Sequence, residues 1–229
     1  MVNHPTSNLS IDQLSAVLRE QHEAFAAWDL GVERSILSEV KKALDAPQIV
    51  VITGLRRVGK STLLAQMAHA HLANDYYFVN FEDERLINFS AAQFDLLHEA
   101  LISLFGEKST FLFDEIQNVP EWERFVRRLH DQGFKFVITG SNASLLSPEL
   151  GTKLTGRSLR YELFPFSFKE YLDFNNIEGA ENTPLTTRER GRLLKRSQEY
   201  IGSGGIPDAL KYPELDIHKT LYDDVLYRD

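Results

Sequence analysis

Eight residues, Gly54-Leu55-Arg56-Arg57-Val58-Gly59-Lys60-Ser61, carry the G-x-x-x-x-G-K-[ST] spacing of a phosphate-binding loop. Gly54 and Gly59 allow turns closed to other residues and let the backbone approach an anion closely. The loop N–H groups then join the unsatisfied N–H groups of the helix that follows. With the helix dipole they form an anion cradle. Lys60 has the length to reach the outer phosphates of a bound nucleotide, and the Ser61 hydroxyl is a hard oxygen ligand for Mg2+. Leu55, Arg56, Arg57, Val58 and Thr62 complete the run that would line the phosphates. Arg56 and Arg57 also stand where they can face a bound partner.

A second element supplies carboxylates. Phe111-Leu112-Phe113-Asp114-Glu115 is an apolar run ending in two acids, 53 positions beyond Ser61. This is the Walker B pattern that accompanies a Walker A phosphate loop. A buried strand tip puts Asp114 where it can accept from a Mg2+-bound water or touch the metal's shell. Its neighbour Glu115 can then polarise an attacking water as general base. A third apolar run leads into Gly140-Ser141-Asn142. Ligands of open parallel sheets collect at the carboxyl ends of strands, so Ser141 or Asn142 can sense the γ-phosphate there. Both residue types also serve as turn or helix-cap residues.

The elements that must hold these groups follow from apolar periodicity. Residues 10–30 read as an amphipathic helix, with Ser10 as N-cap and Gly31 as stop. A second helix covers 33–45. Strands at 48–53, 76–81, 110–113, 134–139 and 158–163 then alternate with helices at 60–73, 90–105 and 121–132. Such alternation with short connections implies a parallel sheet covered by helices. After residue 164 the pattern changes. Ser167 caps a helix through 174, residues 175–186 read as loop, and helices follow at 187–202 and 214–229. The expected organisation is an N-terminal helical segment at 1–32, a nucleotide-binding core at 33–165, and a helical lid or the start of a further region at 166–229.

Composition narrows the class. The chain has 229 residues, 43 % hydrophobic and 25 % charged, as in an ordinary globular protein. No apolar stretch has membrane-spanning length, and no signal-peptide pattern opens the chain. The absence of cysteine excludes disulfides, thiolate catalysis and cysteine-ligated zinc, and fits a cytoplasmic location. A net charge of −8 argues against bulk nucleic-acid binding as the main task. His69 and His71 point to different faces of one helix and make poor metal ligands.

Three motifs taken together, Thr53–Ser61, Phe113-Asp114-Glu115-Ile116-Gln117 and Ile138-Thr139-Gly140-Ser141-Asn142, resemble the prokaryotic AAA+-superfamily ATPases that carry a C-terminal domain of unknown function. Leu154-Thr155-Gly156-Arg157, Leu163–Phe168 and Gly204-Gly205-Ile206-Pro207 extend that resemblance from about residue 33 to the end. It implies a P-loop three-layer α/β sandwich with a five-stranded parallel sheet of AAA type, and ATP and Mg2+ as ligands. Members of that family are longer, so the chain resembles a fragment ending before their C-terminal half.

The resemblance also favours Arg157 as a sensor or finger on the developing γ-phosphate charge, with Arg160 as runner-up, in the same subunit or in a neighbour through self-association. Arg188, Arg192, Lys195 and Arg196 share one helix face, and Arg124, Arg127 and Arg128 cluster on another helix. Either set could meet nucleic acid or an acidic protein client. The expected activity is ATP hydrolysis driving a conformational switch in an attached effector region. The alternatives are a nucleotide-dependent interaction module without turnover, and a P-loop small-molecule kinase.

Overall fold

The structure, a computed structural model, describes residues 9–141, 145, 154, 156–177 and 186–227. Five strands, β1 (Ile49–Gly54), β2 (Tyr76–Asn80), β3 (Thr110–Asp114), β4 (Lys135–Gly140) and β5 (Ser158–Leu163), form one sheet in the order β2-β3-β4-β1-β5. Every neighbouring pair is parallel. The register aligns Thr53 with Gly140, Gly54 with Leu163, and Asn80 with Asp114. All carboxyl ends therefore lie along one edge, and β4 sits between the two strands that carry the loop and the acids.

Strand composition explains the layering. All six residues of β1 are buried, because a parallel sheet is covered on both faces. Alternate side chains divide between two cores. Ile49 and Val51 join Phe111, Phe113 and Phe136 beneath α1 (Ile11–Ala26), α4 (Phe94–Phe105) and α5 (Trp122–Asp131). Val50 and Ile52 join Leu112 and Val137 beneath α2 (Leu37–Leu44) and α3 (Lys60–Met67). The result is the expected three-layer sandwich.

Helix α1 begins with a complete Ser10/Gln13 capping box. It also wraps the β2 edge. The Gln21 amide donates to the Asn80 carbonyl (3.0 Å) and accepts from the Asn80 N–H (2.9 Å), continuing the ladder in place of a further strand. Phe25 stacks on Phe78 at 3.8 Å around that edge. The expected stop at Gly31 is corrected: α1 ends at Ala26, and residues 28–34 cross over α3 as a strap. The Gln66 side chain on α3 fixes that strap, donating to the Leu30 and Val32 carbonyls (2.7 Å each) and accepting from the Arg34 N–H (3.2 Å).

Helix α3 is shorter than its periodicity suggests. It gives way to a π-turn at Ala68–Leu72, closed by left-handed Ala73 and Asn74. Helix α5 stops before Gly133, whose φ of +97° supplies the turn.

After β5 come α6 (Phe168–Phe174), α7 (Thr187–Ser203), α8 (Pro207–Lys211) and α9 (Ile217–Tyr227). The expected single helix at 214–229 is thus described from Ile217, preceded by a separate short helix. The aromatic run around 166–171 packs, as a core or contact element would: Phe168 and Tyr171 meet Tyr200, and Phe166 meets Phe174. Gly205 lies so close to Phe166 that an added Cβ would collide with its carbonyl, and the Phe166 N–H donates to the Gly205 carbonyl at 2.7 Å.

Candidate functional site

The loop after β1 is shaped by three left-handed or glycine-only residues. Gly54 (φ +155°), Arg57 (φ +60°) and Gly59 (φ +97°) turn the chain back into α3. A Cβ on Gly54 would stand 2.5 Å from the Leu163 carbonyl oxygen. Val58 is fully buried and anchors the loop in the core under α3. Leu55 is 40 % exposed at the tip.

Lys60 opens α3 and folds back over the loop. Its ammonium donates to the Gly54 and Leu55 carbonyls (3.3 Å each) and pairs with Glu115 Oε1 at 3.2 Å. One position on, the Ser61 hydroxyl donates to Asp114 Oδ2 at 2.6 Å. The other Asp114 oxygen accepts from the Thr139 hydroxyl on β4. That hydroxyl in turn accepts from the Glu115 N–H at 3.1 Å. Glu115 takes a left-handed conformation (φ +51°), and its Oε2 accepts from the Gln117 amide at 2.6 Å. Elements α3, β3 and β4 therefore bring Lys60, Ser61, Asp114 and Glu115 into one hydrogen-bonded cluster.

Asp114 is almost completely buried, and burial pushes its pKa above the ordinary value. Hydrogen bonds from Ser61 and Thr139 oppose that rise, while the neighbouring Glu115 charge adds to it. The Lys60 charge also favours the ionised form, but its ammonium pairs directly with Glu115 rather than with Asp114. The donor set, one hydroxyl and one carboxylate oxygen beside a loop of backbone N–H groups, fits a hard divalent cation that keeps several waters.

The remaining expected residues divide. Thr62 lies beside Ser61 and accepts from the Trp28 indole at 3.3 Å. Arg56 reaches Glu82 at 2.7 Å, and Arg57 reaches Asp208 of α8 at 3.6 Å, both near the surface. Ser141 follows the tip of β4, at the same edge as the cluster. Asn142 lies outside the described residues.

Arg157 lies at the other end of the sheet from this cluster. Its carbonyl accepts from the Ile49 N–H (2.7 Å) and its guanidinium reaches Asp131 (3.4 Å), at the start of β1 rather than its end. Five residue steps of strand separate that edge from the loop, roughly 17 Å, beyond the reach of an arginine side chain. Arg160 sits mid-strand opposite Val51 and is exposed. On the basic faces, Arg124 pairs with Glu121, Arg128 with Asp95 and Arg196 with Glu199.

Several residues of this site were not expected. Thr139 and Gln117 read only as strand or motif residues, with no role of their own. Arg34 had no signal of its own. It is 4 % exposed and donates to the Val58 carbonyl (2.8 Å), the Phe164 carbonyl (2.6 Å) and Glu170 (3.0 Å). The Ser167-x-x-Glu170 spacing, a capping box, was the one legible trace of Glu170.

Among the described residues no helix is long and apolar enough to cross a membrane. Residues 46–172 match the family model AAA_14, described as an AAA domain. The chain is 41 % identical over 186 residues to Uncharacterized protein MJ1544 of Methanocaldococcus jannaschii, covering 80 % of this chain and 42 % of that protein. It is 33 % identical over 204 residues to an uncharacterized protein of Haemophilus influenzae, covering 84 % and 48 %. The chain thus spans less than half the length of these relatives. It is also similar to AMPPCP-bound DnaA from Aquifex aeolicus, with a TM-score of 0.41 and 15 % identity over 84 % of this chain and 66 % of that one.

Proposed function

The chain belongs to the AAA_14 family of AAA domains, and from that premise we propose that it binds ATP with Mg2+ and hydrolyses it by attack of water on the γ-phosphorus. One observation carries this reading: Lys60 and Ser61 from the start of α3 meet Asp114 and Glu115 from the tip of β3 in a single cluster, at 3.2 Å and 2.6 Å.

The loop N–H groups and Lys60 bind the phosphates. To do so, Lys60 exchanges the Gly54 and Leu55 carbonyls and Glu115 for phosphate oxygens. That exchange releases Glu115 Oε1, which the lysine otherwise occupies. Glu115 then accepts a proton from water as its oxygen bonds to the γ-phosphorus, and the bond to the β–γ bridging oxygen breaks to leave ADP and phosphate. Thr139 holds the Glu115 backbone and Gln117 holds its carboxylate during this step. Ser61 and Asp114 are the residues that would hold Mg2+, which when bound neutralises charge on the phosphates. Ser141 or Asn142 senses the γ-phosphate. Arg157 acts on a neighbouring copy's nucleotide, since its own site is out of reach.

Turnover would drive a switch in the region after β5. The Arg57–Asp208 pair, which joins the loop to α8, supports that route. A nucleotide-dependent interaction module is the second reading, favoured by the Lys60–Glu115 pair, which occupies the base at rest. Phosphate release from ATP, measured with and without Mg2+, nucleic acid and small acceptors, separates the two. Mg2+-dependent release into water supports the hydrolase. Nucleotide binding with no release under any condition supports the module.

A further inference from the structure

Arg34 lies 24 residues before Val58, outside the phosphate-loop motif, yet it bonds directly to the loop. We infer that Arg34 is a positioning residue that presets a phosphate-binding N–H by holding the Val58–Gly59 peptide. This rests on the proposal that the loop binds nucleotide phosphates.

The peptide geometry carries the inference. In a trans peptide the C=O of one residue and the N–H of the next point in opposite directions. The Val58 carbonyl accepts from Arg34 Nη1 at 2.8 Å, on the side of the loop that faces the strap. The Gly59 N–H of that same peptide is thereby turned to the opposite side. Gly59 has a left-handed backbone (φ +97°) and precedes the first residue of α3, so its N–H belongs to the anion-binding end of that helix. Without a fixed carbonyl partner, a peptide flanked by glycine is free to rotate.

Arg34 is itself held from every side. Nε donates to Glu170 Oε1 (3.0 Å) and Nη2 to the Phe164 carbonyl (2.6 Å), and the guanidinium lies over the Phe166 ring at 4.9 Å. The Arg34 N–H is bonded to Gln66 of α3. Glu170 also accepts from the Ser35 and Ser167 N–H groups, at 2.8 and 2.7 Å. One buried guanidinium thus joins the loop, the end of β5 and the start of α6, and planar bidentate reach of this kind is specific to arginine.

The test uses the full chain with Arg34→Lys, Arg34→Met and Glu170→Gln, at a temperature where each is folded by circular dichroism. Fluorescent ATP and ADP analogues with Mg2+ report affinity, steady-state phosphate release reports KM and kcat, and 15N-edited NMR reports the Gly59 amide without nucleotide. Arg34→Met is expected to weaken ATP and ADP alike, by about tenfold to a hundredfold, with KM rising in step and kcat held within about fivefold. Arg34→Lys, which keeps the charge for Glu170 but cannot serve three acceptors, should give an intermediate rise and a shifted Gly59 amide. It provides the reading if Arg34→Met does not fold. Glu170→Gln, which keeps an acceptor for Arg34, should move affinity less than Arg34→Lys does. Unchanged affinity and an unmoved Gly59 amide in Arg34→Lys overturn the inference. So does a loss of kcat with constant KM, the mark of a smaller folded fraction. A wild type that binds no nucleotide defeats the ATP reading instead, and the Gly59 amide still decides this one.

Discussion

Thr139→Val removes one oxygen and keeps the shape of a side chain that is fully buried. That oxygen donates to the Asp114 carboxylate and accepts from the Glu115 N–H at 3.1 Å. A hydrogen bond to a charged group is worth about 1.5–3 kcal/mol, and a buried N–H left without an acceptor costs about 1–3 kcal/mol. The added methyl returns roughly 0.8 kcal/mol. The net loss is then about 2–5 kcal/mol, a large part of the roughly 5–15 kcal/mol that holds a typical domain. Thr139→Ser keeps both hydrogen bonds and gives up one methyl, so it should lose only about 1 kcal/mol. Equilibrium urea unfolding at pH 8, followed by circular dichroism, measures all three proteins. The midpoint should fall far more for Val than for Ser, with an unchanged slope. Equal midpoints for Val and Ser, or a Val protein within about 0.5 kcal/mol of wild type, would refute the claim that this hydroxyl holds both acids.

Gly54→Ala puts a methyl 2.5 Å from the Leu163 carbonyl at a backbone angle alanine rarely adopts, so both nucleotide affinity and thermal midpoint should drop together. A variant of normal affinity would show that the loop does not need this close approach. Arg157→Ala should leave ATP turnover unchanged in dilute, monomeric protein and lower it only where sedimentation shows association; a loss in the monomer would contradict its place at the far edge of the sheet. Burial pushes the Glu170 carboxyl upward, but the Ser35 and Ser167 N–H groups and the Arg34 guanidinium outweigh it and leave the pKa below the ordinary 4.5. A depressed folded pKa stabilises the protein above the unfolded value and is lost as pH falls through the folded one. Wild-type stability should therefore decline as pH drops below 4.5, and Glu170→Gln should flatten that decline in urea titrations across acid pH. An unchanged acid slope would remove Glu170 from the balance.

The alternation of apolar strands and amphipathic helices was readable because a parallel sheet buried on both faces demands near-continuous apolar runs, such as Ile49–Ile52 and Phe111–Phe113. Lys60 and Ser61 were readable because fixed spacing on a strand–loop–helix unit leaves little freedom in where they go, and Asp114 and Glu115 because they end an apolar strand. The Arg34–Glu170 pair was not, since it joins residues 136 positions apart and no local pattern encodes that contact. Thr139 was hidden by its own propensity, because a β-branched residue in a strand needs no further reason to be there. The place of Arg157 was missed, although the strand order carries it: a residue that precedes a strand of a parallel sheet lies at the edge opposite the carboxyl ends.

Glu115→Gln tests the hydrolytic reading most directly, because it keeps the size of the side chain and removes its charge and its capacity to take a proton. Paired measurements of ATP affinity and of phosphate release under saturating ATP and Mg2+ are required. Affinity should stay within about threefold of wild type, or tighten as Lys60 loses its carboxylate partner, while release falls by roughly a hundredfold to ten-thousandfold. Turnover equal to wild type in this variant would contradict the assignment of Glu115 as the base.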